Sequence, residues 1–215
     1  MKAQITSGAL LESLNQRYAT KQFDSTKQIS EEHEHALLES LRLAPSSFGL
    51  QPWKFIVVKN PAVRKELRAA AWNQSQVEEA SHFIVFSTLK QVDSDFVKKY
   101  IASTAEIRGM STEALKGYED MMVNFVNSGS FEHLQWTRRQ SYIAMGFLGL
   151  SASLLGIDSC MIEGLDPTAF DTILGLENGP YTSVAAVALG YRSEADGTAN
   201  YVKSRFTMDE VVQVI

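Results

Sequence analysis

Two basic pairs stand near opposite ends of the sequence, each spaced so that it could cradle a phosphate. Arg17 and Lys21 are four residues apart, which places them on one face if the first helix reaches that far. Lys203 and Arg205 are two apart, on one side of an extended segment. Taken alone, either pair reads first as ordinary surface charge. Pro45–Trp53, PSSFGLQPW, taken alone is a helix-stopping turn whose serines bond their own backbone. His33 and His35 sit i, i+2 and point to different faces of a helix, which makes a poor metal site, so no metal is expected. Cys160 has no nearby His and reads as a small buried hydrophobe rather than a nucleophile. Arg138 and Arg139 read as the wet start of a long helix. No G-x-G-x-x-G follows a strand and no G-x-x-x-x-G-K-[ST] occurs, so any nucleotide must be bound in another way.

Composition narrows the classes further. The 215 residues carry 20 Lys and Arg against 25 Asp and Glu, a net charge of −5, which argues against a nucleic-acid binder working through a general basic field. At 45% hydrophobic and 21% charged the chain is ordinary globular material, expected to form one domain over residues 1–215. A single cysteine excludes an intrachain disulfide and a Cys-rich zinc site, and suits a reducing, cytoplasmic setting. The most apolar stretch, Tyr142–Gly156, is short of the ~20 residues a bilayer needs, so no membrane span is expected.

The elements that must position these groups follow from periodicity and caps. Leu10, Leu11, Leu14 and Tyr18 suit one face of a first helix. Ser30 caps a helix with acidic Glu31 and Glu32 in its first turn and Leu37, Leu38 and Leu41 inward, stopped before Pro45. WKFIVV and HFIVFST read as buried strands, and Asn60-Pro61 and Asp166-Pro167 as helix starts. Asp93 or Ser94 opens another helix. Residues from Glu132 to Leu155 form a long helix whose later half is apolar nearly all round, so it is central or at a subunit interface. CMIEG is a short strand ending in a turn, and TSVAAVALG a final strand. Beyond Gly190 the tail has no apolar face of its own until its last residues. Irregular spacing with helix outweighing strand favours an α+β fold with a helix-flanked, partly mixed sheet over a doubly wound one.

Taken in order, RYATKQFD (Arg17–Asp24), APSSFGLQPWKFIVV (Ala44–Val58), ASHFIVF (Ala80–Phe86), IEG (Ile162–Gly164) and KSR (Lys203–Arg205) resemble the motifs of the nitroreductase family of flavin enzymes. Each piece is weak alone; five in order across nearly the whole chain are specific. The resemblance implies a domain-swapped homodimer, with the long apolar helix central in the interface, residues 190–215 wrapping the partner, and FMN bound between subunits.

Carried over by residue, the resemblance implies that Arg17, Lys203 and Arg205 hold the FMN phosphate, with Tyr18 and Ala19 beside them. Lys21 would sit near the pyrimidine end of the flavin ring. Pro45, Ser46 and Ser47 would come from the partner and cover the ring and ribityl chain, and Gly49 would also belong to the cofactor site. Asn73 and Gln76 would bond the pyrimidine ring. Ile162, Glu163 and Gly164 would line one face of the flavin, with a backbone N–H at Glu163 directed at N5. Lys21 and Glu163 are thus the expected catalytic positions. Ala19, Gly49, Gln76 and Met161 depart from residues frequent in the family. The implied activity is hydride transfer from NAD(P)H through flavin N5 to a quinone, nitroaromatic or similar electron-poor acceptor by a ping-pong mechanism. The alternatives are a flavin-binding or redox-sensing module without turnover, and a relative dedicated to another metabolite.

Overall fold

In the computed structural model, which describes residues 5–215, four strands form one sheet: β1 (Trp53–Val57), β2 (His82–Leu89), β3 (Asp158–Ile162) and β4 (Tyr181–Gly190), in the order β1-β2-β4-β3. Every neighbouring pair is antiparallel. The parallel pairing expected of a mixed sheet shrinks to an isolated bridge between Ala19 and Ser159. The two central strands are apolar almost throughout because both faces of the sheet are covered.

Side chains alternate across that sheet. Ile84 and Phe86 point into a core built with Leu37, Leu41, Ala144, Met145 and Leu148, from α2 (Glu31–Arg42) and α7 (His133–Leu154). Phe83 and Val85 point the other way, onto Leu67, Ala71 and Phe170, around α3 (Pro61–Ala70) and α8 (Pro167–Ile173). A third core joins α5 (Ser94–Arg108) and α6 (Lys116–Val126) to Trp136 of α7.

Helix starts follow local chemistry. The side chains of Ser30, Asn60, Asp93 and Asp166 accept backbone N–H bonds at their helix N-termini. Gly156 ends α7 with φ at 70°. Helix α1 (Ser7–Gln16) departs from expectation: it stops before Tyr18, and Leu11 and Leu14 face outward. So do Ile143, Phe147 and Leu154 of α7. Beyond Gly190 the chain runs through a turn at Gly197–Asn200 and a short helix α9 (Met208–Val211), with Phe206, Val211, Val214 and Ile215 exposed. Among the described residues no helix is long and apolar enough to cross a membrane.

Candidate functional site

Arg17 is the residue that ends α1, with its backbone already extended (φ −68°, ψ 138°). Arg17 and Lys21 therefore do not share a helical face. The segment after Arg17 instead runs beside β3, where the Thr20 N–H donates to Ser159 O at 3.2 Å. It is pinned from the far end of the chain by Asp196, which is buried. One oxygen of that carboxylate accepts from the Tyr18 hydroxyl (2.9 Å) and from the N–H groups of Lys21 (2.8 Å) and Gln22 (3.2 Å). The other accepts from the N–H and hydroxyl of Thr198. Arg192 lies over the Tyr18 ring, 4.6 Å from its centroid, and is itself held by Asp158.

This clamp carries a signed pH dependence. Burial alone would raise the Asp196 pKa, but the Thr198 hydroxyl, the Lys21 N–H, the Tyr18 hydroxyl and the Gln22 N–H together hold it at about 2. A depressed carboxyl pKa contributes stability above its unfolded value and loses it as pH falls through the folded one. Asp196→Asn should therefore cost on the order of 2 kcal/mol at neutral pH, and the gap to wild type in urea melts should close between about pH 4 and pH 2. A gap that stays constant with pH would show that the carboxylate charge does not anchor this segment.

Five of the expected residues, Arg17, Tyr18, Ala19, Lys203 and Arg205, come to one place. A cleft of about 710 Å³ is lined by Arg17, Tyr18, Ala19, Arg192, Tyr201, Lys203 and Arg205, among others. Among the described residues, Arg17, Lys21, Lys203 and Arg205 make no ion pair, in a chain with 25 acidic side chains. The Nε of Arg17 is buried with no hydrogen-bond partner, and a buried unmet donor is costly. Lys203 is different: its ammonium donates to Leu14 O (2.5 Å) and to Arg17 O, carbonyls at the C-terminus of α1. Burial, and then the charges of Arg17 and Arg205, lower its pKa. An anion entering the cleft would reverse the last two effects and meet the free Arg17 donor.

A second group gathers along β3, which is an edge strand. Ile162 pairs with Ala186, and the next N–H, that of Glu163, has no partner among the described residues. Leu165 N donates to Glu163 O at 2.9 Å, closing a tight turn around Gly164. The Gln74 amide donates to Gly164 O at 3.0 Å. The Trp72 ring, itself exposed, lies so near that a Cβ on Gly164 would come within 2.6 Å of it, so a side chain there would need the ring to shift. Trp72 and Asn73 both have positive φ, 52° and 58°, and their side chains are exposed. Gln76, expected to reach a ligand, is buried and turns its amide to Cys160 Sγ at 4.0 Å. Burial raises the Cys160 thiol pKa, while Lys21, Gln76 and Arg17 pull it back.

Pro45, Ser46, Ser47 and Gly49 are not brought to this group. Their loop leads into β1, at the sheet edge opposite β3, three strand spacings or about 14 Å away. The Ser47 N–H donates to the Gln140 side chain, and the Ser46 hydroxyl accepts from the Gln51 N–H. Gly49 has φ 75°, and a Cβ there would lie 2.6 Å from the Tyr100 hydroxyl, so a side chain at this position is strained and must displace that hydroxyl. Tyr118 donates to Phe48 O at 2.9 Å, and Phe125 and Phe131 pack edge-on in the same cluster.

Arg192 and Asp196 escaped the sequence reading, because nothing local in RSEAD marks them as partners of residues 158 and 18–22. A buried Asp held by five donors becomes visible only once the ends of the chain meet.

Comparison with known proteins agrees with this fold. The family model described as "Nitroreductase family" matches residues 14–191. A Staphylococcus saprophyticus protein named "Putative NAD(P)H nitroreductase" is 38% identical over 213 residues, covering 95% of each chain. The crystal structure of ydfN from Bacillus subtilis superposes with a TM-score of 0.86 at 22% identity, over 98% of this chain and all of that one. An Exiguobacterium sibiricum protein crystallised in complex with FMN gives 0.80 at 22% identity, over the full length of both. With its motifs in order, its helix-flanked antiparallel sheet and these relatives, the chain belongs to the nitroreductase family.

Proposed function

We propose that this protein is an FMN-dependent NAD(P)H oxidoreductase acting on an electron-poor acceptor such as a quinone or nitroaromatic. The observation that carries the reading is the cleft where Arg17, Lys203 and Arg205 converge without acidic partners, with the Arg17 Nε buried and unmet. A phosphate fits that donor set, since guanidinium groups bind it through charge-assisted and bidentate bonds. The free Glu163 N–H on the β3 edge fits a second contact, at the ring. Bound FMN would supply acceptance of a hydride from NAD(P)H at N5 and its delivery to the acceptor.

The chain's own groups do the rest. Arg17, Lys203 and Arg205 bind the phosphate, while Tyr18 and Asp196 hold the segment that carries Arg17 and Lys21. Lys21 supplies a fixed cation at the pyrimidine end, where negative charge collects on reduction. The Ile162–Gly164 turn offers its N–H and excludes water from one face. No strong side-chain acid or base is required, since positioning at near-attack distance supplies the rate.

The same reading makes the active form a homodimer. Pro45–Ser47 lie at the wrong sheet edge to reach their own subunit's cleft, and Phe147 of α7 (46% exposed) and Phe206 of the tail (76%) need cover. Residues 190–215 then act as an extension wrapped over the partner rather than a separate domain.

Anaerobic mixing of FMN-loaded protein with NADH or NADPH tests the activity. Fast bleaching of the visible flavin band, and parallel double-reciprocal lines with a quinone, are expected. A flavin that stays oxidised would favour a binding or sensing module instead.

A further inference from the structure

The turn that ends β3 is tied down from outside its own strand. Tyr142, on α7, donates its hydroxyl to Glu163 Oε1 at 2.5 Å. Gln74 holds Gly164 O at 3.0 Å, and Leu165 N closes on Glu163 O at 2.9 Å. Three bonds thus converge on two residues, one of them a glycine with no side chain to hold it. An exposed tyrosine–carboxylate bond is by itself a weak contact. Here it joins the longest helix of the described residues to a peptide whose N–H is left free at the sheet edge.

Burial, and then the Glu163 carboxylate, push the Tyr142 pKa up to about 12, so the hydroxyl keeps its proton, and its donor role, across the whole physiological range. Arg138, one turn back on α7, opposes that shift only partly. Rotating the carboxylate toward solvent would give up this donor.

We infer that Tyr142 is a positioning residue: by holding the Glu163 carboxylate it sets the direction of the Glu163 N–H, and so the reactivity of the flavin this N–H faces. The inference rests on the proposed FMN site. It assigns to α7 a part in the chemistry that packing alone does not give it.

Four chains test it: wild type, Tyr142→Phe, Glu163→Ala and the double variant, with Glu163→Gln as a conservative rescue. Tyr142→Phe keeps the ring and removes only the hydroxyl. In the flavin-free chain, amide exchange at Leu165, whose N–H closes the turn, should speed up about tenfold in Tyr142→Phe, the size of one charge-assisted bond. With FMN saturating, anaerobic reduction by NAD(P)H should slow by a similar factor and the flavin midpoint potential should shift. FMN affinity should change less than twofold, because the phosphate cleft is untouched. The double variant should be no slower than either single one, and Glu163→Gln should fall between wild type and Glu163→Ala. Exchange and reduction both unchanged in Tyr142→Phe, or two single effects that multiply, would overturn the inference while leaving the FMN reading intact. A wild-type chain that takes up no flavin would overturn both.

Discussion

Deleting Ser204–Ile215 is expected to convert the proposed dimer into a monomer that no longer retains FMN. The segment buries nothing of its own: Phe206, Met208, Val211, Val214 and Ile215 are all exposed. Stable obligate interfaces of this kind commonly exceed ~2,000 Å². The outward faces of α1 (Leu11, Leu14) and α7 (Ile143, Phe147, Leu154) offer apolar surface for the tail of a second copy to cover. The deletion also removes Arg205 from the proposed phosphate cleft, so assembly and flavin retention should fail together. Light scattering at nanomolar concentration reads the first and gel filtration with absorbance at the flavin band the second. A truncated chain that remains a flavin-loaded dimer would show that the tail bridges nothing.

The second large effect separates two lysines that composition treats alike. Lys203 is proposed to meet the phosphate, whose charge is the same in both redox states, and it also caps the Leu14 and Arg17 carbonyls. Lys203→Ala should therefore weaken FMN binding by about ten- to a hundredfold, the ~1.5–3 kcal/mol of a charge-assisted contact, and leave hydride transfer in the saturated enzyme nearly unchanged. Lys21 stands exposed beside β3, held through its backbone by Asp196. Its proposed neighbour gains charge only on reduction. Lys21→Ala should lower the flavin potential and slow reduction by about ten- to a hundredfold at full occupancy. Rapid-mixing reduction of both variants saturated with FMN decides the matter. If Lys203→Ala is the slow one and Lys21→Ala matches wild type, the two roles are reversed.

How much of this was legible follows from where each signal resides. Helix starts at Ser30, Asn60, Asp93 and Asp166 are local, each a side chain bonding an N–H two or three residues on, and could be read directly. The apolar runs of β2 and β4 are equally local. Their order is not: a fully buried strand carries no alternation to say which neighbour it takes, so a partly mixed sheet was expected where an antiparallel one forms. The end of α1 has no proline or glycine to announce it. Residues after Gln16 leave the helix for bonds to Ser159 and Asp196, which lie far along the chain. The residues proposed to bind the phosphate were legible as motifs only through the family resemblance, and their lack of acidic partners could be seen only in three dimensions. Gln76 shows the reverse: a polar residue in a site motif that burial turns toward Cys160.

The most direct test of the central claim is the identity and amount of flavin released by heat from the purified protein after incubation with excess FMN and FAD and removal of the free flavins. Close to one FMN per chain, with little FAD, is expected, because the Arg17–Lys203–Arg205 cleft presents donors for a single terminal phosphate. Release of FAD instead, or no flavin at micromolar concentration, would contradict it.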